Sequence, residues 1–160
     1  MHKHFLFISI FSVALLLGCN SSPQPISRTS GVGELDVEIW ASQGCIKPGE
    51  TIQVRATVTN RGDKTQVIDL KDKPVLDLTV YSLERTQRWS EGKALTAELT
   101  RLELAPGKSK TIEAEYTENS TKRGGQLVAE AKFFDVANPS GGPLTSSVTI
   151  YVGSCPGLGP

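Results

Sequence analysis

The carboxylates of this sequence come closest to forming a reactive cluster. They fall into two groups, Asp69, Asp72 and Asp77, and Glu113, Glu115 and Glu118. General acid–base catalysis or calcium binding would require several of these oxygens to converge on one point. Their spacing matches alternating strand positions and loops, which favours solvated surface carboxylates. The carboxylates therefore predict neither a catalytic pair nor a metal site.

The N-terminus combines a basic residue, an apolar run and a cysteine. Lys3 precedes the run from Phe5 to Leu17, which has the length of a signal-peptide core and is too short to anchor across a bilayer. The run ends in Leu16-Leu17-Gly18-Cys19, which resembles the lipobox of bacterial lipoproteins. The resemblance implies cleavage after Gly18 and acylation of Cys19, with membrane lipid as a partner. The alternative is an ordinary signal peptide followed by a chance cysteine.

This interpretation divides the chain into three parts. Residues 1–18 would be a lipoprotein signal peptide, and residues 19–33, rich in Ser, Pro and Gly, a lipidated flexible tether. Residues 34–160 would form the folded domain, which is a normal size for one core. The predicted location is lipid-anchored and extracytoplasmic, at the cell membrane or the outer membrane.

The signal-peptide interpretation also excludes chemistry that depends on histidine. Both histidines, His2 and His4, lie in the predicted signal peptide, so the mature protein would contain none. That removes Ser-His-Asp and Cys-His nucleophilic catalysis and all histidine metal sites. We therefore predict a protein that is not an enzyme and that uses no cofactor and no metal.

Cys45 and Cys155 remain in the folded part. In an oxidising compartment an even pair of cysteines indicates a disulfide, here between Cys45 and Cys155. Two separate buried thiols are the alternative. A metal site on two cysteines without histidine would have too few soft ligands.

The charge balance argues against nucleic acid as a partner. The chain has 17 Lys and Arg against 17 Asp and Glu, with no concentrated basic stretch. Binding to a phosphate backbone depends on such a basic patch.

The elements that must position these residues are strands. Alternating apolar and polar segments recur about every ten residues, which is typical of a sandwich or barrel. Nine such segments lie near residues 35–39, 52–58, 67–68, 75–81, 88–89, 99–104, 112–116, 127–133 and 148–152. Pro48-Gly49 and Pro106-Gly107 are typical of type II turns. The stretch 94–104 has partly helical spacing, although strand or irregular structure is preferred there. We predict an all-β protein, a single antiparallel immunoglobulin-like β-sandwich of seven to nine strands.

Two short motifs carry a family resemblance. Arg88-Trp89-Ser90-Glu91-Gly92 follows a strand and a polar turn, and Leu104-Ala105-Pro106-Gly107 precedes another strand. Together they resemble the intracellular proteinase inhibitor family of Bacillus, BsuPI, over about residues 52 to 116. The resemblance implies the sandwich fold and a proteinase inhibitor whose partner is a peptidase.

Two functions remain open at this stage. The preferred one is a lipid-anchored, non-catalytic binding or assembly module with an unknown protein partner, and the alternative is an inhibitor of the BsuPI type. Arg85, Arg88 and Trp89 are the candidate partner-binding residues, because the segment 83–93 links two predicted strands and carries two possible cationic anchors. A lone Trp beside a Gly turn is also typical of a core plug.

Overall fold

The computed structural model describes residues 24–119, 125–134 and 142–153. Within these ranges the chain forms eleven strands and one short helix. In chain order they are β1 (Ile26–Val32), β2 (Leu35–Ala41), β3 (Cys45–Ile46), β4 (Thr51–Asn60), β5 (Gln66–Asp69), β6 (Leu76–Tyr81), β7 (Thr86–Arg88), α1 (Ala97–Thr100), β8 (Arg101–Leu104), β9 (Ser109–Thr117), β10 (Gly125–Phe133) and β11 (Leu144–Val152).

Two main sheets pack face to face. The first has the order β1-β2-β4-β9 and is antiparallel throughout. The second has the order β3-β11-β10-β6-β7, in which only the pair β3–β11 is parallel. A separate two-stranded sheet, β5–β8, lies beside them. The predicted all-β sandwich is confirmed, with more strands in the described residues than the seven to nine expected.

The core follows from the period-2 pattern of the strands. Every second residue of β4, from Ile52 to Asn60, is completely buried, while the residues between them face outward. The same alternation holds in β2 and β10, and Phe133 and Tyr116 are the largest fully buried side chains. Burying one face of each sheet against the other is the main favourable contribution to folding.

Strand β6 departs from this alternation. Leu76, Leu78 and Val80 face the core, but Asp77 and Thr79 on the opposite face are buried as well. A carboxylate can remain at such a position only when it has hydrogen-bonding partners. The partners come from the segment that follows β7.

The two Pro-Gly turns form as the sequence predicts. Gly49 has φ +86° and Gly107 has φ +71°, values that favour glycine. The Glu50 amide donates to the Lys47 carbonyl, and the Lys108 amide donates to the Ala105 carbonyl, which closes each four-residue turn. These turns lead directly into β4 and β9.

The first strand corrects the predicted tether. Residues 19–33 were expected to be flexible, but Ile26–Val32 forms β1 and pairs with all of β2. The Ser146 hydroxyl also donates to the Arg28 carbonyl at 2.8 Å. Pairing with a buried neighbouring strand stabilises a segment whose composition alone is typical of a linker, so the tether prediction is wrong for this stretch. The predicted signal peptide and Cys19 lie outside the described residues.

Candidate functional site

The segment from β6 to α1 contains all three predicted partner-binding residues. Strands β6 and β7 form a hairpin at the edge of the second sheet, in which Tyr81 pairs with Thr86 and Thr79 with Arg88. The Trp89 amide donates to the Leu78 carbonyl at 2.8 Å, which extends the pairing by one step. A turn then leads away, with the Glu91 amide donating to the Arg88 carbonyl.

The tip of this hairpin is held by one serine. The Ser82 amide donates to the Arg85 carbonyl at 2.7 Å, and the Ser82 hydroxyl oxygen accepts hydrogen bonds from the amides of Glu84 and Arg85. A serine that bonds its own turn in this way fixes the backbone of a short loop. The loop presents Leu83, which is 91% exposed and the most exposed of the large apolar residues in the described chain.

The two predicted arginines have different surroundings. Arg85 is exposed, and its guanidinium carbon lies 5.9 Å from the centroid of the Tyr116 ring. The Arg88 guanidinium lies 3.6 Å from the carboxylate of Asp77, with which it forms an ion pair. Arg85 is therefore the more available of the two for a partner.

Asp77 organises the motif that follows β7. Its carboxylate accepts hydrogen bonds from the Ser90 hydroxyl at 2.7 Å and from the Ser90 amide at 3.2 Å. Arg88 adds the ion pair on the exposed side. The sequence pattern assigned Asp77 to a solvated face, which is wrong because this face of β6 is covered. The local pattern gave no signal of this burial, because a polar residue between two apolar ones is also typical of a solvated strand position.

Glu118 is the second carboxylate that the pattern misplaced. It was expected to be solvated with its neighbours, but it is buried, and the Tyr116 hydroxyl donates to it at 3.4 Å. Its backbone also joins the turn before β4, because the Gly49 amide donates to the Glu118 carbonyl. Among the described residues, no three His, Cys, Asp or Glu side chains are grouped so that they could hold a metal ion.

Trp89 points to the opposite side of the hairpin from Arg88 and Ser90. It is half-buried against the hydrophobic core, and the Lys93 ammonium lies 3.3 Å from its ring centroid. Such a contact combines a cation–π interaction with cover for the exposed ring face. Trp89 therefore packs at the edge of the core, and Lys93 covers part of its ring.

A cavity of about 200 Å³ opens beside Trp89. Its apolar wall includes Leu99 of α1 and Ile112 of β9, and its rim carries Glu98, Lys110 and Glu113. The sequence pattern did not indicate this cavity, because it lies between segments that are distant along the chain.

Cys45 lies in β3, where it pairs with Tyr151 of β11. Its predicted disulfide partner, Cys155, lies outside the described residues, so the bridge stays a prediction. The register brings the end of β11 close to Cys45, since the Gly153 amide donates to the Ile46 carbonyl at 2.8 Å.

Comparison with known families gives one match. The family described as intracellular proteinase inhibitor, BsuPI, matches residues 41–135, more than half of the chain. The matched range contains the hairpin, the Asp77 cluster and the cavity. No curated protein matches the sequence.

Solved structures share only a distant likeness. The sporulation control protein Spo0M from Bacillus subtilis is 17% identical, with 78% of this chain and 51% of that chain covered and a TM-score of 0.45. A CARDB domain from Pyrococcus furiosus is 12% identical, with coverages of 81% and 94% and a TM-score of 0.40. The β-glucosidase EmGH1 from Erythrobacter marinus is 15% identical with a TM-score of 0.40, and the alignment covers 79% of this chain but only 15% of that much longer enzyme.

The family match overturns the predicted location. A lipid-anchored, extracytoplasmic position was inferred from Lys3, the apolar run from Phe5 to Leu17 and the lipobox-like sequence that ends at Cys19. The matching family, in contrast, is described as intracellular. The description of the family contradicts the extracytoplasmic prediction, which is therefore wrong. Within the described residues, no helix has the length and apolar character to cross a membrane.

Proposed function

Because the chain belongs to the BsuPI family of intracellular proteinase inhibitors, we propose that it is a proteinase inhibitor that presents the β6–β7 hairpin tip, residues 82–85, to its target. The family match over residues 41–135 carries this proposal. This proposal narrows the predicted non-catalytic binding module with an unknown partner. An inhibitor is such a module, and its partner is a peptidase.

The hairpin tip has the physical properties that inhibition requires. An inhibitor binds tightly when its contact segment is already rigid, because little conformational entropy is then lost on association. Four hydrogen bonds from or to Ser82 restrain a loop of only four residues. Leu83 projects from that loop and is free to enter an apolar specificity pocket.

Leu83 and Arg85 suggest different target specificities. A proteinase with an apolar specificity pocket would take Leu83, and burying a leucine side chain contributes about 1.5–3 kcal/mol. A proteinase with an acidic pocket would take Arg85. Arg88 is the weaker anchor of the two arginines. If its guanidinium moved to a proteinase, the buried carboxylate of Asp77 would lose its ion-pair partner, which is unfavourable.

Residual activity of serine proteinases with apolar and with acidic specificity pockets, measured against increasing concentrations of the full chain, tests the proposal. We expect inhibition of an apolar-pocket enzyme and a roughly tenfold to hundredfold weaker inhibition by Leu83→Ala. Leu95→Ala is the matched control, because Leu95 is also an exposed leucine, at 52%, but lies outside the hairpin.

The pattern of results separates the possible contact residues. Loss of inhibition with Arg85→Ala but not with Leu83→Ala would move the contact to the arginine while keeping the function. Full activity of every proteinase at micromolar wild-type protein would overturn the proposed function itself.

A further inference from the structure

Strand β9 has an open edge. Within the described chain it pairs only with β4, and it ends the first sheet. The Gln87 side-chain amide donates to the Glu115 carbonyl at 3.2 Å, so this carbonyl points away from β4. Alternate residues of an antiparallel strand direct their backbone groups to the same side. Thr111 and Glu113 therefore also direct their N–H and C=O groups to the open edge.

The cavity beside Trp89 lies along that edge. Residues 110–113 of β9 form one of its walls, and Trp89 and Leu99 form others. Its volume of about 200 Å³ is below the roughly 300–1,000 Å³ typical of pockets for small-molecule ligands. The space suits one large apolar side chain delivered by a neighbouring backbone.

The outer face of this edge is acidic. Glu113 and Glu115 are both exposed there, and Arg55 contacts Glu113 only at 3.9 Å. In the described part of the chain Glu115 has no ion pair. Cross-strand neighbours of opposite charge stabilise strand pairing, whereas like charges destabilise it. A second copy of β9 placed antiparallel about Glu113 would bring Glu113 against itself, which disfavours self-association through this edge.

We infer that the open edge of β9 binds an extended peptide segment of another protein, in which one large apolar residue is flanked on both sides by Lys or Arg. The two basic residues lie opposite Glu113 and Thr111 and exchange backbone hydrogen bonds with them. The apolar residue between them lies opposite Ile112 and enters the cavity. This site uses residues other than the hairpin tip and does not depend on the proposed inhibition.

A short blocked peptide tests the inference directly. The probe is the N-acetylated, C-amidated peptide Thr-Lys-Leu-Lys-Thr, titrated into the full chain carrying Trp40→Phe. The sequence contains two tryptophans, so this variant leaves Trp89 as the single fluorescent reporter in the cavity wall. We expect a saturable change in Trp89 emission.

Three control peptides separate the contributions. Aspartate in place of leucine should weaken binding about tenfold or more, because it removes the buried apolar contact. Methylation of both lysine backbone nitrogens should weaken binding about tenfold, because two strand hydrogen bonds are lost. Glutamate in place of both lysines should weaken binding about fivefold or more through repulsion from Glu113 and Glu115.

A charge-reversed protein completes the test. The double variant Glu113→Lys, Glu115→Lys should prefer the glutamate peptide over the lysine peptide, whereas Glu103→Lys, on the outward face of β8, should leave the preference unchanged. Circular dichroism confirms that each variant is folded. No saturable change at millimolar peptide, or equal binding of the N-methylated peptide, would overturn the inference. Equal binding of the lysine and glutamate peptides to the wild-type protein would also overturn it.

Discussion

The Ser90 hydroxyl donates a 2.7 Å hydrogen bond to the carboxylate of Asp77, a side chain that is only 5% exposed. This bond fastens the turn after β7 to the outward face of β6. Because side chains alternate along an extended chain, fastening Arg88 and Ser90 to Asp77 turns Trp89 toward the core and the cavity. The Arg-Trp-Ser motif thus has an architectural role in placing Trp89, whatever partner the hairpin tip binds.

Removal of the Asp77 carboxylate should destabilise the protein. Asp77→Ala leaves the amide and hydroxyl of Ser90 without their acceptor, and hydrogen bonds to a charged group each contribute about 1.5–3 kcal/mol. We expect the free energy of unfolding, measured in urea, to fall by about 3 kcal/mol. Asp72→Ala is the control, since Asp72 is exposed and should change stability by less than about 0.5 kcal/mol. Equal stability of the two variants would contradict the role of Asp77.

Trp89→Ala should lower the free energy of unfolding by less than the truncation of a fully buried tryptophan does. The ring is half-buried and borders an open cavity, so water can enter the space that it leaves. We expect a loss of about 2 kcal/mol in urea unfolding, below the roughly 3–5 kcal/mol of a core site. Trp89→Phe should recover about half of that loss. A loss above about 4 kcal/mol would mean that Trp89 is a core plug after all.

The Cys45–Cys155 bridge is testable by a variant cycle. The Gly153 amide donates to the Ile46 carbonyl, next to Cys45. Cys155 follows Gly153 by two residues, and two residues of extended chain span at most about 7 Å. A bridge would close a loop of 155 − 45 = 110 residues and stabilise the protein by about 4–5 kcal/mol. For protein prepared under oxidising conditions, we expect Cys45→Ser and Cys155→Ser to lose equal stability, and the double variant to lose no more. Alkylation of both thiols in the native oxidised protein would refute the bridge.

Strand positions were largely predictable, because one face of each long strand is buried. The alternation near residues 52–58, 112–116 and 127–133 corresponds to β4, β9 and β10. Strand β1 was missed because its stability comes from pairing with β2, which local composition does not report. Strand β3 has two residues, too few for any periodicity.

The candidate site was predictable only in part. The segment 83–93 was expected to link two strands, whereas its residues 86–88 themselves form β7. The partner of Arg88 was not foreseen, because it lies eleven residues earlier on a covered face. Leu83 was not singled out, since exposure is a property of the folded hairpin. The cavity requires β9 and α1 to meet, and that contact has no local signature.

Stability above neutral pH should depend on Lys132. Its ammonium donates to the Tyr81 hydroxyl oxygen at 2.9 Å and lies 2.9 Å from the Glu130 carboxylate, which raise the Lys132 pKa above its ordinary value of 10.5. A raised pKa in the folded state means that the contribution is fully present below pH 10.5 and is lost as the pH rises through the higher folded value. Urea unfolding between pH 9 and pH 12 should therefore show a smaller decline for Lys132→Met than for the wild-type protein. Lys71→Met, on an exposed lysine, is the control, and identical pH profiles of wild type and Lys132→Met would contradict the assignment.

Asn60 joins three segments at one end of the sandwich. It is fully buried, and its side-chain amide nitrogen donates to the carbonyls of Lys64 at 2.7 Å and Leu104 at 2.9 Å. Its side-chain oxygen accepts from the Gly62 amide at 2.9 Å, so every polar atom of the side chain is used. The end of β4, the following turn and the end of β8 thus depend on one amide.

Replacing that amide with a carboxyl of the same shape gives the sharpest test of this arrangement. At pH 7 Asn60→Asp carries an acceptor-only carboxylate, which cannot donate to the two carbonyls and is repelled by them. Burial beside these acceptors also favours the neutral acid, so the pKa of the introduced group should rise. We expect a loss of about 3 kcal/mol or more at pH 7, and a clearly smaller loss near pH 4, where the protonated carboxyl can donate again. Urea unfolding at both pH values measures this, with Asn119→Asp as the exposed control. An Asn60→Asp protein whose stability relative to wild type is unchanged between the two pH values would show that donation by the Asn60 amide does not hold these segments together.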